Sequence, residues 1–242
     1  MVATTIAGGI ASAAALSYAG YATVAPRSQL YGRTFLGEGR GSRRLALTYD
    51  DGPNDPWTQK LLDVLAKHEV KATFFMIGRF VEERPEIARA VAEQGHVIGN
   101  HTMVHPNLIF VGRVGIQEEL LQCAAMLAAA VGKHSNLFRP PFGGRRPAVL
   151  REVRRQGMVP VMWTVTCYDW KRTTAERVER HAVRQVRGGD IILLHDGGHL
   201  RFGADRSHTV EATDRLIRRY KDQGYGFVTV PEMMGESQAA SR

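Results

Sequence analysis

Two adjacent carboxylates, Asp50 and Asp51, close the run Leu45-Ala46-Leu47-Thr48-Tyr49 and are followed directly by Gly52-Pro53. An apolar run that stops at Gly-Pro reads as a buried strand entering a tight turn. Neighbouring side chains of a regular strand face opposite ways, so a break at Gly52-Pro53 is what would bring both carboxylates to one site. One could then hold a metal while the other moves a proton. His101 and His105, four residues apart, have the spacing of two imidazoles that bind one ion, and Asp51 supplies the carboxylate for a three-ligand site with an open position for water. Arg139-Pro140-Pro141-Phe142-Gly143 is a stiffened segment that could aim the Phe142 N–H at a developing oxyanion, while Arg139 keeps a carboxylate ionised. His195 becomes a general acid if a carboxylate such as Asp169 raises its pKa. Taken singly, the same residues read as a turn, a core or surface histidine pair, a solvated arginine and a neutral core histidine; Trp170 and Leu193 read as core.

Alternating strand-like and helix-like stretches position these groups. After Leu45–Asp51 come a helix opened by Asp55-Pro56, a strand Ala72–Ile77, a helix Pro85–Gln94 stopped by Gly95, and a strand His96–Asn100. Ile116, Leu120, Cys123, Leu127 and Val131 mark a long amphipathic helix ending at Gly132. Strands Met158–Val165, Asp190–Leu194 and Phe227–Val230 follow, separated by helices near Ala175–Val186 and Val210–Gln223. Such alternation predicts an α/β fold, a mostly parallel sheet or barrel with helices outside, whose site gathers at the C-terminal ends of the strands. Asp50, Asp51, His101, Arg139, Asp169 and His195 all fall at such ends.

The 242 residues are 44% hydrophobic, enough for one sizeable core. The net charge of +8 and pI near 9.8 favour anionic surroundings, yet the arginines are scattered over helices and no zinc-finger, RRM or P-loop pattern accompanies them, so nucleic acid is not an expected partner. Two distant cysteines cannot form a disulfide framework. Residues 1–26 carry no charged side chain, and Ile6–Ala25 is long enough to cross a bilayer, although its Ala, Gly and Ser content makes insertion marginal. The first cations, Arg27, Arg33, Arg40, Arg43 and Arg44, follow it and would leave the domain on the cytoplasmic side; a helix packed on the domain is the alternative. The expected organisation is an apolar segment over 1–26, acting as membrane anchor or signal, a basic linker over 27–44, a catalytic domain over 45–231 and a polar tail over 232–242.

Thr48-Tyr49-Asp50-Asp51-Gly52-Pro53, His101-Thr102-Met103-Val104-His105, Arg139-Pro140-Pro141-Phe142, Asp169-Trp170 and Leu193-Leu194-His195 resemble, in order and spacing, the motifs of the polysaccharide deacetylases of carbohydrate esterase family 4, the NodB-homology domain. The resemblance covers about Leu45 to Pro231. It implies a distorted (β/α) barrel and a divalent metal, usually zinc with cobalt as second choice, held by Asp51, His101 and His105. It further casts Asp50 as general base, Arg139 as the residue that positions it, the Phe142 amide as oxyanion donor, His195 as acid tuned by Asp169, and Trp170 with Leu193 as the pocket for the acetyl methyl. Tyr49 and Phe142 exchange one aromatic for another relative to the usual pattern, and Thr166 stands where many members carry an Asp. The activity implied is deacetylation of an N-acetylated glycan of the cell wall or of chitin type, at a membrane or cell envelope. An O-acetyl esterase acting on a glycan such as acetylxylan, and a non-catalytic glycan-binding scaffold, are the alternatives.

Overall fold

Strand β1 (Arg44–Gly52) sorts its side chains by parity. Leu45, Leu47 and Tyr49 join the core under the helices, whereas Ala46 joins a second core inside the sheet's curl, on the side that Thr48 and Asp50 share by alternation. Strand β7 (Asp190–His195) repeats the pattern: Ile192 and Leu194 go outward, Ile191 and Leu193 inward. Both strands are buried on both faces, and each fully buried Leu or Ile contributes about 1.5–3 kcal/mol.

The computed structural model describes residues 17–132 and 134–235. With β2 (Thr73–Met76), β3 (Val97–Asn100), β4 (Leu137–Phe138), β5 (Val159–Pro160), β6 (Val165–Thr166) and β8 (Gly226–Phe227) the strands form one eight-stranded sheet, ordered β5-β4-β3-β2-β1-β7-β6, with β8 beside the start of β1. All these pairings are parallel, and the sheet curls into an open, distorted barrel as expected. Helices α1 (Trp57–Lys67), α2 (Gly78–Glu83), α3 (Pro85–Glu93), α4 (Arg113–Val131), α5 (Pro147–Arg155), α6 (Ala175–Gln185), α7 (Ser207–Asp222) and α8 (Val230–Met234) accompany the sheet, and a 3-10 turn spans Pro141–Gly143. Helix α4 carries the expected stripe, with Ile116, Leu120, Cys123 and Leu127 buried and Gly132 capping it at φ 74°.

Several local expectations are corrected. Helix α1 starts at Trp57 with no side-chain cap, and the single strand expected over Met158–Val165 is two short strands separated by Val161–Thr164. The segment 27–44, expected as a basic linker, is held against the sheet at two points. Phe35 pairs with Val161 and Gly37 with Asp190, laying the segment along the open side of the barrel. A Cβ at Gly37 would run into the carbonyl of Gly189, so only glycine passes there. The run Ile6–Ala25 lies partly outside the described residues; its described part is helical over 17–24 and docks on the domain, because the buried Arg145 guanidinium donates to the carbonyls of Ala22, Ala25 and Ser28. At the other end, the stretch counted as tail begins inside α8, which Thr229 and Glu232 cap reciprocally and Met233 anchors in the core. Residues 236–242 of that tail lie outside the described residues.

Candidate active site

Parallel register carries the functional residues to one level. Asp50 is the partner of His195 across β1 and β7, and Gly52, Met76, Asn100 and Phe138 form a continuous row from β1 to β4. His101 and Arg139 are the next residues after that row, so strand register alone brings them together at the rim.

Asp51 reaches the same site by a different device from the one expected. The pleat breaks not at Gly52-Pro53 but at Asp51 itself, whose φ is 72° and where the register to β2 slips between Asp50 and Gly52. This bulge turns the Asp51 carboxylate inward beside that of Asp50. Positive φ in a residue other than glycine costs about 1–3 kcal/mol, and among the described residues it also occurs at Thr102, His105, Phe142 and Tyr168, all around this rim, and at the distant Glu69.

Asp51 Oδ1 lies 3.2 Å from His105 Nε2 and 3.5 Å from His101 Nε2. Burial pushes the Asp51 carboxyl upward, but the imidazoles of His101, His199 and His105 outweigh it and hold the group well below the usual range. Burial, with the neighbouring His101, drives His105 down to about 3, so its ring is neutral and carries one nitrogen lone pair able to bind a cation, with Nε2 facing Asp51. The His101 Nδ1 lies 2.7 Å from the Arg139 carbonyl; a carbonyl only accepts, so Nδ1 carries the proton and Nε2 faces Asp51. Among the described residues Asp51 Oδ1 is buried without a hydrogen-bond partner, which fits a carboxylate that binds a cation. Three donors within 4.8 Å of one another, two nitrogens and one oxygen, suit a divalent metal such as zinc.

Asp50 is fixed by Arg139, whose Nη1 donates to Asp50 Oδ1 at 2.7 Å and to the Thr48 hydroxyl at 2.8 Å. The fully buried guanidinium also donates to the Met162 carbonyl and lies over the Phe75 ring at 4.2 Å. Thr166, which stands where an Asp was the usual residue, accepts from Trp163 Nε1 at 2.9 Å; Trp163 stands 5.6 Å from the guanidinium. The arginine's polar environment is thus completed by backbone carbonyls and aromatic faces.

His195 Nδ1 donates to Asp169 Oδ1 at 2.9 Å, and the His195 N–H donates to Asp169 Oδ2 at 2.7 Å. Burial alone would lower the imidazole, but the Asp169 charge and hydrogen bond, with Asp51 and Asp50 behind them, push it up to about 9. Burial likewise raises Asp169, and the His195 charge, its two hydrogen bonds and the Thr209 hydroxyl hold that carboxyl below its ordinary value. His195 is therefore protonated near neutral pH and presents Nε2 to the cavity. The Phe142 N–H, turned by a φ of 57°, has no carbonyl acceptor among the described residues. Trp170 stands 5.2 Å from the His195 ring, and Leu193 is buried beside it.

One cavity of about 280 Å³ takes in the Asp50, Asp51, His101, His105, Phe142, Trp170, Leu193 and His195 side chains. Arg139 and Asp169 stand behind it. The cavity also contains His199, which the sequence reading missed: its ring stacks on His105 at 4.6 Å and its Nδ1 lies 3.8 Å from Asp51 Oδ2. It is held from afar, its carbonyl accepting from Arg79 Nη2 of α2 while Asn54 and Arg206 pin the surrounding loop.

A strained triad of metal-binding type, beside an arginine-held carboxylate and a carboxylate-held histidine at the open end of a parallel barrel, defines a hydrolase centre. Residues 37–161 match the family model for polysaccharide deacetylases, and the chain belongs to that family, carbohydrate esterase family 4. It is 37% identical over 196 residues to a peptidoglycan-N-acetylglucosamine deacetylase of Bacillus cereus, covering 80% of this chain and 69% of the relative. It is also 37% identical over 208 residues to a chitooligosaccharide deacetylase of Sinorhizobium fredii, covering 84% and 97%. The crystal structure of the Bc1960 peptidoglycan N-acetylglucosamine deacetylase superposes with a TM-score of 0.77 at 35% identity, over 83% of this chain and 91% of that one.

Proposed function

We propose that this cavity hydrolyses the acetamide of N-acetylated sugars in a cell-wall or chitin-type glycan, releasing acetate and leaving a free amine. The observation that carries the reading is the pair of hydrogen-bonded couples beside one triad: Asp50 with Arg139 and His195 with Asp169, around Asp51, His101 and His105. A divalent cation held by the triad would supply Lewis-acid polarisation of the acyl carbonyl and of the attacking water. Asp50, kept in place by Arg139, takes the water's proton as its oxygen bonds to the carbonyl carbon. The Phe142 N–H donates to the carbonyl oxygen as it becomes negative. His195 passes its Nε2 proton to the sugar nitrogen as the C–N bond breaks, and Asp169 stabilises the imidazolium until then. An amine leaves only when protonated, whereas an alkoxide demands less of its acid, so the raised pKa of His195 favours amide over ester.

Acetate release from chitooligosaccharides, peptidoglycan and acetylated xylan tests this. Metal-stripped protein is expected to keep its circular-dichroism spectrum and release nothing; added zinc should restore release from the N-acetylated glycans. Release from xylan alone would make the chain an esterase, and silence on all three despite tight zinc binding would make it a scaffold.

The pH profile should show the acid as well. His195 must be protonated, so kcat falls as pH rises through its pKa, about 9 in the metal-free protein and lower beside a bound cation. In Asp169→Asn the raising charge is gone while burial, which lowers the pKa, remains. The alkaline limb of kcat is expected to move to lower pH; an unmoved limb would remove this couple from the acid role.

A further inference from the structure

Next to the cavity, a second hollow of about 560 Å³ is lined by Tyr168, Lys171, Arg172, Arg177, Arg180 and Arg184 among its residues. None of these five cations makes an ion pair or a side-chain hydrogen bond with a described residue, although all are exposed. For Arg177, Arg180 and Arg184 this follows from how helix α6 sorts its charges. Glu176 and Glu179 point to α7, where Arg215 and Arg219 neutralise them at 2.5 and 2.7 Å. Arg177, Arg180 and Arg184, spaced three and four residues apart, share another face and turn to the hollow. Acids are thus spent between helices, and positive charge is left concentrated on one surface.

The hollow is joined to the reacting centre by aromatic rings. Tyr168, held at a φ of 56°, lies 5.3 Å from Trp170, which lies 5.2 Å from the His195 imidazole; Lys171 Nζ stands 5.3 Å over the Tyr168 ring. Exposed rings in a row offer apolar faces on which sugar rings can lie, with cations at the edge for groups that sugars carry outward.

We propose that this basic hollow is a subsite for the carboxylates of an anionic glycan strand, so that the chain prefers N-acetylated strands bearing acidic groups to neutral ones. The proposal rests on the deacetylase reading of the cavity and names its substrate class. A glycan is favoured over nucleic acid because Tyr168 and Trp170 join the hollow to the His195 side of a cavity that the deacetylase reading assigns to acetamide hydrolysis.

Three substrates of similar length test it with the zinc-loaded protein: peptide-free peptidoglycan strands with free lactyl carboxylates, the same strands with those carboxyls amidated, and chitohexaose. The wild type is expected to show a KM about tenfold lower for the carboxylate strand than for its amidated form, a gap that narrows as salt shortens the screening length. Arg177→Gln/Arg180→Gln and, separately, Lys171→Gln/Arg184→Gln should close most of that gap and leave chitohexaose kinetics unchanged. Equal KM for the two strands in the wild type would overturn the proposal. So would loss on all three substrates in both double variants, which would mark the cations as parts of the fold, or a stronger hold on single-stranded DNA than on the strand. Turnover of chitohexaose reports the deacetylase reading by itself. Calorimetric binding of the same strands to metal-stripped protein reads the subsite even where no acetate is released.

Discussion

Asp50→Asn is expected to lower kcat on a chitooligosaccharide by about 10²- to 10⁴-fold, the usual contribution of a positioned general base. Zinc affinity should stay near that of the parent protein. Asparagine keeps the shape and one oxygen for Arg139 Nη1, but it cannot accept the water's proton. Asp51 cannot take over, because its carboxylate already faces both His101 and His105 and is the oxygen member of the triad. Asp50 Oδ2, at 3.8 Å from His101 Nε2, stands just outside that triad, where a base beside the attacking water belongs. Zinc binding by calorimetry alongside kcat separates the outcomes: a folded, zinc-loaded variant with near-parent turnover would move the base elsewhere, and loss of zinc would make Asp50 a ligand.

What the sequence shows most clearly is whatever the strands themselves determine. Apolar runs that stop on a polar residue mark strand ends, and in a parallel sheet all strand ends share a rim, so the sequence alone places Asp50, His101, Arg139 and His195 there. Asp169, expected after one long strand, follows the second of two short ones and still arrives at His195. The inward set of β7, Ile191, Leu193 and His195, follows from parity alone.

Other features depend on contacts between residues far apart in the chain. The bulge at Asp51 has no local signature that distinguishes it from a turn at Gly52-Pro53; the close approach of Gly197, where a Cβ would strike the Asp51 carbonyl, is visible only once β1 and β7 are paired. His199 sits on a loop without periodicity, and Arg79, Asn54 and Arg206 that fix it come from three other parts of the chain. Helix α5, for which no element was expected, opens with Pro147, a start signal, and buries Val149, Leu150 and Val153 on one face. The docking of residues 17–25 runs in large part through Arg145, and an arginine in a Gly-Gly-Arg-Arg stretch reads as surface until it is seen buried and donating to the carbonyls of Gly143 and Ala25.

Arg139→Ala should be the most damaging single change to the fold. The guanidinium is fully buried, and its removal leaves the Asp50 carboxylate without its cation and the Thr48 hydroxyl and Met162 carbonyl without a donor. Breaking a buried pair from one side typically costs about 3–5 kcal/mol. For a chain of this size each kcal/mol moves the melting temperature by about 2–4 °C, so a fall of roughly 6–20 °C is expected in a thermal melt. Arg139→Lys keeps a charge but loses the planar contact with Phe75 and the fork that reaches Asp50, Thr48 and Met162 together, so it should recover only part of that loss. Replacing both partners distinguishes stability from chemistry. In Arg139→Met/Asp50→Leu no charge is stranded, and apolar replacement of a whole buried pair is often neutral or stabilising. That double variant is expected to melt close to the parent temperature, to bind zinc through Asp51, His101 and His105, and to release no acetate. A double variant as unstable as Arg139→Ala would show that the pair holds the barrel rim together; a stable and inactive one would show that the buried charge is kept for the reaction, because only a carboxylate fixed at that point can take the proton.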